Sequence, residues 1–297
     1  MVKVCFLLLH FKATEITSRC IESILSLTGG EEAQIVVVDN ASNDGSGEIL
    51  AQKYKSNRNV HVIILTESSG FSFGNNKGYQ FCMQQFDPDY VVIANNDIIF
   101  FQEDFITNMV ESYRKEPYAI GGPDIIDLNS HLHCSPTRKN LKDIAEVKDF
   151  IESLKYGQKH VKSILFKEWM EQKKRSIFRT ANNILKVRPK QFDYAQIYED
   201  VLLWGACLIF TKDYMKIREL PFEPETNFYH EEDILFFQAD KLGLKVKYDP
   251  CMKVEHGGSV ATKAKYKNRI ARKQFQLENN LKGSMIYLNL MENWQDE

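Results

Sequence analysis

Four solidly apolar runs, each separated from the next by a helix-forming stretch, constrain this chain more than any other feature. The runs are Val2–Leu9, Gln34–Val38, Val60–Leu65 and Tyr90–Ala94, and the intervening stretches Thr17–Leu27, Ser46–Tyr54 and Gly74–Phe86 carry helical spacing. A strand with one wet face alternates apolar and polar residues. These runs do not alternate, so both of their faces are buried. The rhythm predicts an α/β fold with a mostly parallel sheet flanked by helices. In such sheets ligands lie beyond the carboxyl ends of the strands. That places His10 and Phe11, then Asp39 and Asn40, then Gly70 through Lys77, then Asn95, Asn96 and Asp97 on one edge.

Composition sets the remaining bounds. The chain has 297 residues, 43 % of them hydrophobic, enough for a sizeable core. Lys and Arg total 38 against 40 Asp and Glu, for a net charge of −2, which excludes a dedicated nucleic-acid binder. The charge is uneven. Residues 137–190 hold 15 basic and 6 acidic residues, and 263–273 hold six basic residues and no acid. The expected organisation is a donor-side half at 1–136, a basic helical insertion at 137–190, a second half of the same domain at 191–260, and a helical tail at 261–297. The insertion reads first as a solvated amphipathic helical segment. Its other readings are a surface for anionic lipid or a phosphate-bearing acceptor, or packing between two subunits in a homodimer. No run approaches the roughly 18 apolar residues that cross a bilayer, and the first apolar run lacks a cleavage site. The six cysteines form no C-x-x-C pair. The expectation is a cytoplasmic protein with reduced thiols, in peripheral contact with the inner face of the membrane.

Several residues have both a chemical and a bland reading. Asp39 can accept hydrogen bonds from a nucleobase or ribose, but Asp39-Asn40 and Asn43-Asp-Gly45 are also good turn chemistry, the stronger reading for them alone. Gly70, Gly74 and Gly78 are spaced at four, so a dinucleotide fingerprint is absent. Asn95-Asn96-Asp97 either forms a turn or uses its carboxylate on Mg2+ or Mn2+, with substrate phosphates completing the shell. Glu231-Glu232-Asp233 either complements a helix N-terminus or supplies a general base for a hydroxyl. His256 is a metal ligand or a structural histidine.

In this order, the segments resemble glycosyltransferase family 2, the inverting nucleotide-sugar transferases of the GT-A fold. The resemblance covers roughly 2–128 and 198–260. It rests on Val36-Val-Val-Asp-Asn-Ala-Ser-Asn-Asp-Gly-Ser46, Gly70-Phe-Ser-Phe-Gly-Asn-Asn-Lys-Gly78, Asn95-Asn96-Asp97, Trp204-Gly-Ala-Cys-Leu-Ile-Phe210, Phe228-Tyr-His-Glu-Glu-Asp-Ile-Leu235, and Val254-Glu-His256 with Ser259. The branch it most resembles comprises rhamnosyl- and capsular-polysaccharide-type transferases. The resemblance implies a UDP- or dTDP-sugar donor, held by His10, Phe11, Asp39, Asn40, Gly70, Asn76, Lys77, Asn95, Asn96 and Asp97. It implies Mn2+ or Mg2+ on Asp97 and His256, and an acceptor hydroxyl of a glycan, lipid-linked sugar or glycoprotein beside Trp204, Gly205 and Ala206. Its base falls on Glu232, with Asp233 second and Glu231 third, because twelve residues back from Gly243 puts Glu231 and Glu232 on the family's acidic pair. Asn95 stands where the family's metal motif begins with Asp. That keeps open a nucleotide-sugar-binding protein without catalysis. A nucleotidyltransferase is the other alternative, although His10-Phe-Lys-Ala13 lacks the glycine its first loop needs.

Overall fold

The structure is a computed structural model that describes residues 2–67, 70–179, 192–257 and 268–294, with side chains left out over 171–179. The readings placed on Ser259, on residues 180–190 and on the basic run 263–267 lie outside the described residues. The parallel core consists of β1 (Val4–His10), β2 (Gln34–Asp39), β3 (Val60–Ile64) and β4 (Tyr90–Asn95). Helices α1 (Thr14–Leu25), α2 (Ser46–Lys53) and α3 (Phe71–Phe86) connect them. After β4 come β5 (Ile98–Ile99), α4 (Phe105–Lys115), β6 (Ile120–Asp127), α5 (Ile144–Lys159) and α6 (Val161–Arg179). The chain ends through β7 (Tyr198–Glu199), β8 (Cys207–Thr211), α7 (Lys212–Met215), α8 (Glu231–Lys241), β9 (Val246–His256) and α9 (Arg269–Asn293).

Among the described residues the strands form one nine-stranded sheet in the order β3-β2-β1-β4-β8-β6-β9-β5, with β7 on β9. The expected parallel pairing holds through β3, β2, β1 and β4. Beyond β4 the sheet is mixed: β8 joins β4 and β6 antiparallel, β6 and β9 run parallel, and β5 and β7 join β9 antiparallel. Both faces of β1 and β2 are covered, which explains their solid apolar runs. Phe6, Leu8, Ile35 and Val37 pack with Ile21, Ile24, Leu50 and Met109 on one side. Leu7, Val36 and Val38 pack with Tyr79, Cys82 and Leu235 on the other. β9 continues through Pro250 to His256, past a shift of register against β6 between Gly122 and Asp124. Proline is tolerated at such irregular positions. The insertion is helical as expected and is docked on the domain. Asp143 and Glu146 close a capping box at the start of α5, and Val147 and Ile151 of α5 join Ile234, Phe237 and Tyr287 in a small core shared with α8 and α9.

Candidate active site

The carboxyl ends of β1, β2 and β4 carry a web of buried polar groups. His10, fully buried, is 2.7 Å through Nδ1 from the Thr17 hydroxyl and 3.0 Å through Nε2 from the Ser46 hydroxyl. Burial lowers its pKa against the pull of Asp39 and Asp44, so the ring is neutral at pH 7. Thr17 also accepts from Asn96 Nδ2 at 2.8 Å, which ties the end of β4 to the end of β1. Asp39 accepts from the Ser42 backbone N–H and from its hydroxyl, and a Cβ at Gly47 would strike the Asp39 carboxylate. Asn40 donates to the Gly70 carbonyl and leaves its buried Oδ1 without a partner. Phe11 is half-buried under the Lys12 ammonium, which lies 5.2 Å above its ring.

The glycine-rich segment is helix rather than loop. At Gly74 and Gly78 any Cβ would collide with Leu9 and Leu7, so these glycines let α3 lie tight on β1. Asn76 is spent on structure: its amide donates to the Phe222 carbonyl at 2.8 Å and its carbonyl accepts from the Phe222 N–H at 3.1 Å. Ser72 bonds Thr226 at 2.7 Å, and the Phe71 N–H donates to the Asn227 carbonyl at 2.6 Å. Lys77 is exposed on the outer side of α3, above Phe73. The segment therefore anchors the chain that leads to α8.

Across the cleft, Asp97 and His256 come from separate segments and meet because β5 pairs with β9. Asp97 Oδ1 lies 3.3 Å from His256 Nε2, and the Asp97 carbonyl accepts from the Gly257 N–H. Both side chains are buried, and His256 Nδ1 has no partner. Trp204 packs edge-on to His256 with ring centroids 4.6 Å apart. A carboxylate and an imidazole side by side fit a divalent cation, and they are the residues that would hold one. Among the described residues no group of three or more His, Cys, Asp or Glu comes together, so the remaining ligands fall to substrate phosphates and water. Asn95 binds through its backbone, its N–H donating to the Ala206 carbonyl.

The acidic cluster opens α8. Tyr229 and His230 just before it both hold left-handed backbone, with φ of 70° and 68°, a costly conformation for such residues. Helix α9 presses on this turn: a Cβ at Gly283 would come within 2.7 Å of the Tyr229 carbonyl. His230 bonds Ser284 through Nε2 and Asp233 through Nδ1, each at 2.8 Å, and Lys142 from the insertion reaches Asp233 at 2.8 Å. Burial pushes the Asp233 carboxyl up, but the His230 hydrogen bond and the Lys142 charge outweigh it and hold the pKa below the usual value. Glu232 accepts from the Gly205 N–H at 3.2 Å, which aims it at the Trp204–Ala206 turn. Burial and then the Asp233 charge raise its pKa. Glu231 is more hidden still. Burial first, then Glu232 and Asp233, push its carboxyl up to about 8, and its Oε1 has no partner. Residue patterning did not single out Thr17, Lys142, His230 or Ser284. Only the His230 position, directly before three acids, offered a signal.

A parallel half-sheet with buried polar groups at its carboxyl edge, joined to a mixed half that carries consecutive acids, is the arrangement of a GT-A-type fold. The chain belongs to glycosyl transferase family 2, whose family model matches residues 10–179. The match takes in Asp39 and Asn95 to Asp97 but stops before Trp204, Glu232 and His256. No curated protein sequence matches the chain. Solved structures share the fold at low identity. S. aureus TarS 1-349 aligns over 98 % of this chain and 73 % of its own at 10 % identity, with a TM-score of 0.53. Its complex with UDP-GlcNAc aligns over 99 % and 68 % at 9 % identity and 0.55. GalNAc-T7 with UDP, GalNAc and Mn2+ aligns over 87 % and 44 % at 13 % identity and 0.59.

Proposed function

We propose that this family 2 glycosyltransferase inverts the anomeric centre of a UDP- or dTDP-linked hexose or deoxyhexose. The sugar goes to a hydroxyl of a glycan, lipid-linked sugar or glycoprotein, in the manner of the rhamnosyl- and capsular-polysaccharide-type enzymes. UDP in the solved complexes of TarS and GalNAc-T7 supports the donor class. The observation that carries the reading is the division of labour at the start of α8. Asp233 is committed to Lys142 and His230, Glu231 retains its proton near neutral pH, and Glu232 faces the Trp204–Ala206 turn. Carboxylates whose environments push them apart take different roles.

In the proposed step Glu232 takes the acceptor's hydroxyl proton. The acceptor oxygen then bonds to the anomeric carbon as that carbon's bond to the diphosphate breaks, and the nucleoside diphosphate leaves with the electron pair. Asp39 holds the base or ribose, with Ser42 fixing its carboxylate. His10 and Thr17 set the Asn96-Asp97 turn from below rather than touching the donor. Asp97 and His256 would hold a Mn2+ or Mg2+ ion, which would supply charge stabilisation for the diphosphate. Trp204 offers an aromatic wall to the sugar. Glu232→Gln tests this reading: with a panel of UDP- and dTDP-sugars, transfer should fall at least ~10²-fold while nucleotide binding persists. The same loss from Asp233→Asn with Glu232→Gln active would move the base by one residue. Donor binding without turnover in the unaltered chain would leave a binding protein.

A further inference from the structure

We infer that the outer face of α6 and the start of α9 form a docking surface for an anionic lipid bilayer. Charge points there first. The chain as a whole is slightly acidic, while residues 137–190 carry more than twice as many basic as acidic residues, and α9 opens on Arg269, Arg272 and Lys273. These three, with Gln276, recur at the spacing of one helical stripe. They line a cavity of about 400 Å³ together with Leu165 and Glu168 of α6. Glu168 pairs with Lys273 at 2.7 Å and Arg269 at 3.6 Å, so three cations face one carboxylate. The cavity is therefore a positively charged notch suited to a lipid phosphate.

Apolar exposure points to the same face. On α6 Phe166, Trp169 and Met170 sit at i, i+3 and i+4 and are 61 %, 40 % and 39 % exposed, and Ile270 on α9 is 39 % exposed. The Phe166 and Trp169 rings stack 5.8 Å apart. Exposed Lys162 and Lys167 flank them. Aromatic and thioether side chains beside lysines and arginines are the pattern of a helix lying at the headgroup boundary. Among the described residues no helix is long and apolar enough to cross a membrane, so the contact is peripheral. Inner faces of α5, α6 and α9 are already used: Leu154, Val161 and Leu277 pack together beneath this surface. Its rigidity keeps the aromatic stripe and the cationic notch in register.

The test is co-sedimentation of the full chain with vesicles of phosphatidylcholine alone or doped with phosphatidylglycerol, at low and high salt. Binding is expected only to the anionic vesicles and should weaken as salt screens the charges. Neutralising the notch with R269Q, R272Q and K273Q together should lower partitioning about a hundredfold, since each basic residue near the surface contributes about fivefold. E168Q should raise it about fivefold by the same arithmetic, an increase that a merely damaged variant cannot give. F166A with W169A should lower it at either salt. Equal binding to neutral vesicles, or binding indifferent to the neutralised notch, overturns the proposal. Competition by inorganic phosphate at matched ionic strength, with F166A and W169A without effect, also overturns it and leaves a small-anion site.

Discussion

Buried polar groups at the carboxyl edge of the parallel half are drawn into one bonded web that leaves Asn40 Oδ1 and Asn75 Oδ1 over, whereas the mixed half sets a bonded acid, Asp233, beside a carboxylate and an imidazole that keep partnerless atoms. His10 uses both ring nitrogens, Asp39 is clasped by Ser42, Asn76 spends its whole amide on Phe222, and Asn96 reaches Thr17. Across the cleft, Glu231 Oε1 and His256 Nδ1 are buried without partners, and two left-handed residues precede α8. Unpaired buried polar atoms cost roughly 1–3 kcal/mol each, and strained backbone costs of the same order. Left-handed residues occur on both sides, at Lys12, Ala41 and Asn43 in the one half and at Tyr229 and His230 in the other, so the contrast lies in the unpaired titratable groups, which the proposed reaction would protonate or ligate.

Breaking the contrast on the mixed side should have the largest effect. Asp97→Ala removes the only carboxylate of its turn, and donor turnover at saturating Mn2+ should fall at least ~10²-fold; unchanged turnover removes Asp97 from the site. Asp39→Ala probes the other half. Loss of a hydrogen bond to a charged group, worth about 1.5–3 kcal/mol, should weaken UDP or dTDP about 10- to 150-fold by calorimetry. An unchanged affinity returns Asp39 to a turn role.

Asn76 and Lys77 sharpen the comparison within one helical turn. Asn76→Ala unpairs both backbone groups of Phe222 and should cost about 1–3 kcal/mol of stability in urea. Lys77→Ala, on the outer side, should change stability by less than about 0.5 kcal/mol. A loss of nucleotide affinity in Lys77→Ala with stability intact would restore it to the donor site. Glu231→Gln should show the most telling sign. Between its unfolded pKa of about 4.3 and about 8, the folded chain keeps a proton that the unfolded chain has released. Stability from this group is thus full at acid pH and is lost as pH rises through about 8. The Gln variant should melt higher than the parent by roughly 2–4 °C per kcal/mol above pH 8, and the gain should vanish near pH 4. A gain independent of pH would mean that Glu231 does not hold the proton.

How much the sequence disclosed follows the same divide. β1, β2 and β4 were legible because burial on both faces writes itself as an unbroken apolar run; β3, at the sheet edge, shows such a run although most of it is only half-buried. Asp39, Asp97 and His256 stood out because each ends a strand. The helix expected from Gly74 begins three residues earlier, at Phe71, and the packing role of Gly74 and Gly78 was less legible, since glycines that permit close packing look the same in sequence as glycines of a loop. So was the mixed pairing beyond β4, because short β5 and β7 carry too few residues to show a period. Spacing put Glu232 ahead of Asp233 and Glu231, but the contacts that set Asp233 apart are not local: Lys142 lies ninety-one positions away and Ser284 acts on His230 across 54 positions, and no local pattern encodes partners at that distance.

That last span sets an order of assembly during synthesis. Domains fold broadly from the N-terminus as the chain emerges, and the web of His10, Thr17, Asp39, Ser42, Ser46 and Asn96 lies wholly between β1 and the turn after β4. The left-handed turn at Tyr229 and His230 stays unbraced until the ribosome has added 54 more residues and Ser284 has arrived. A nascent chain can therefore hold a nucleotide-facing edge well before it can hold the acids in place, and a ribosome stalled before residue 284 should display a protein that binds nucleotide and transfers nothing.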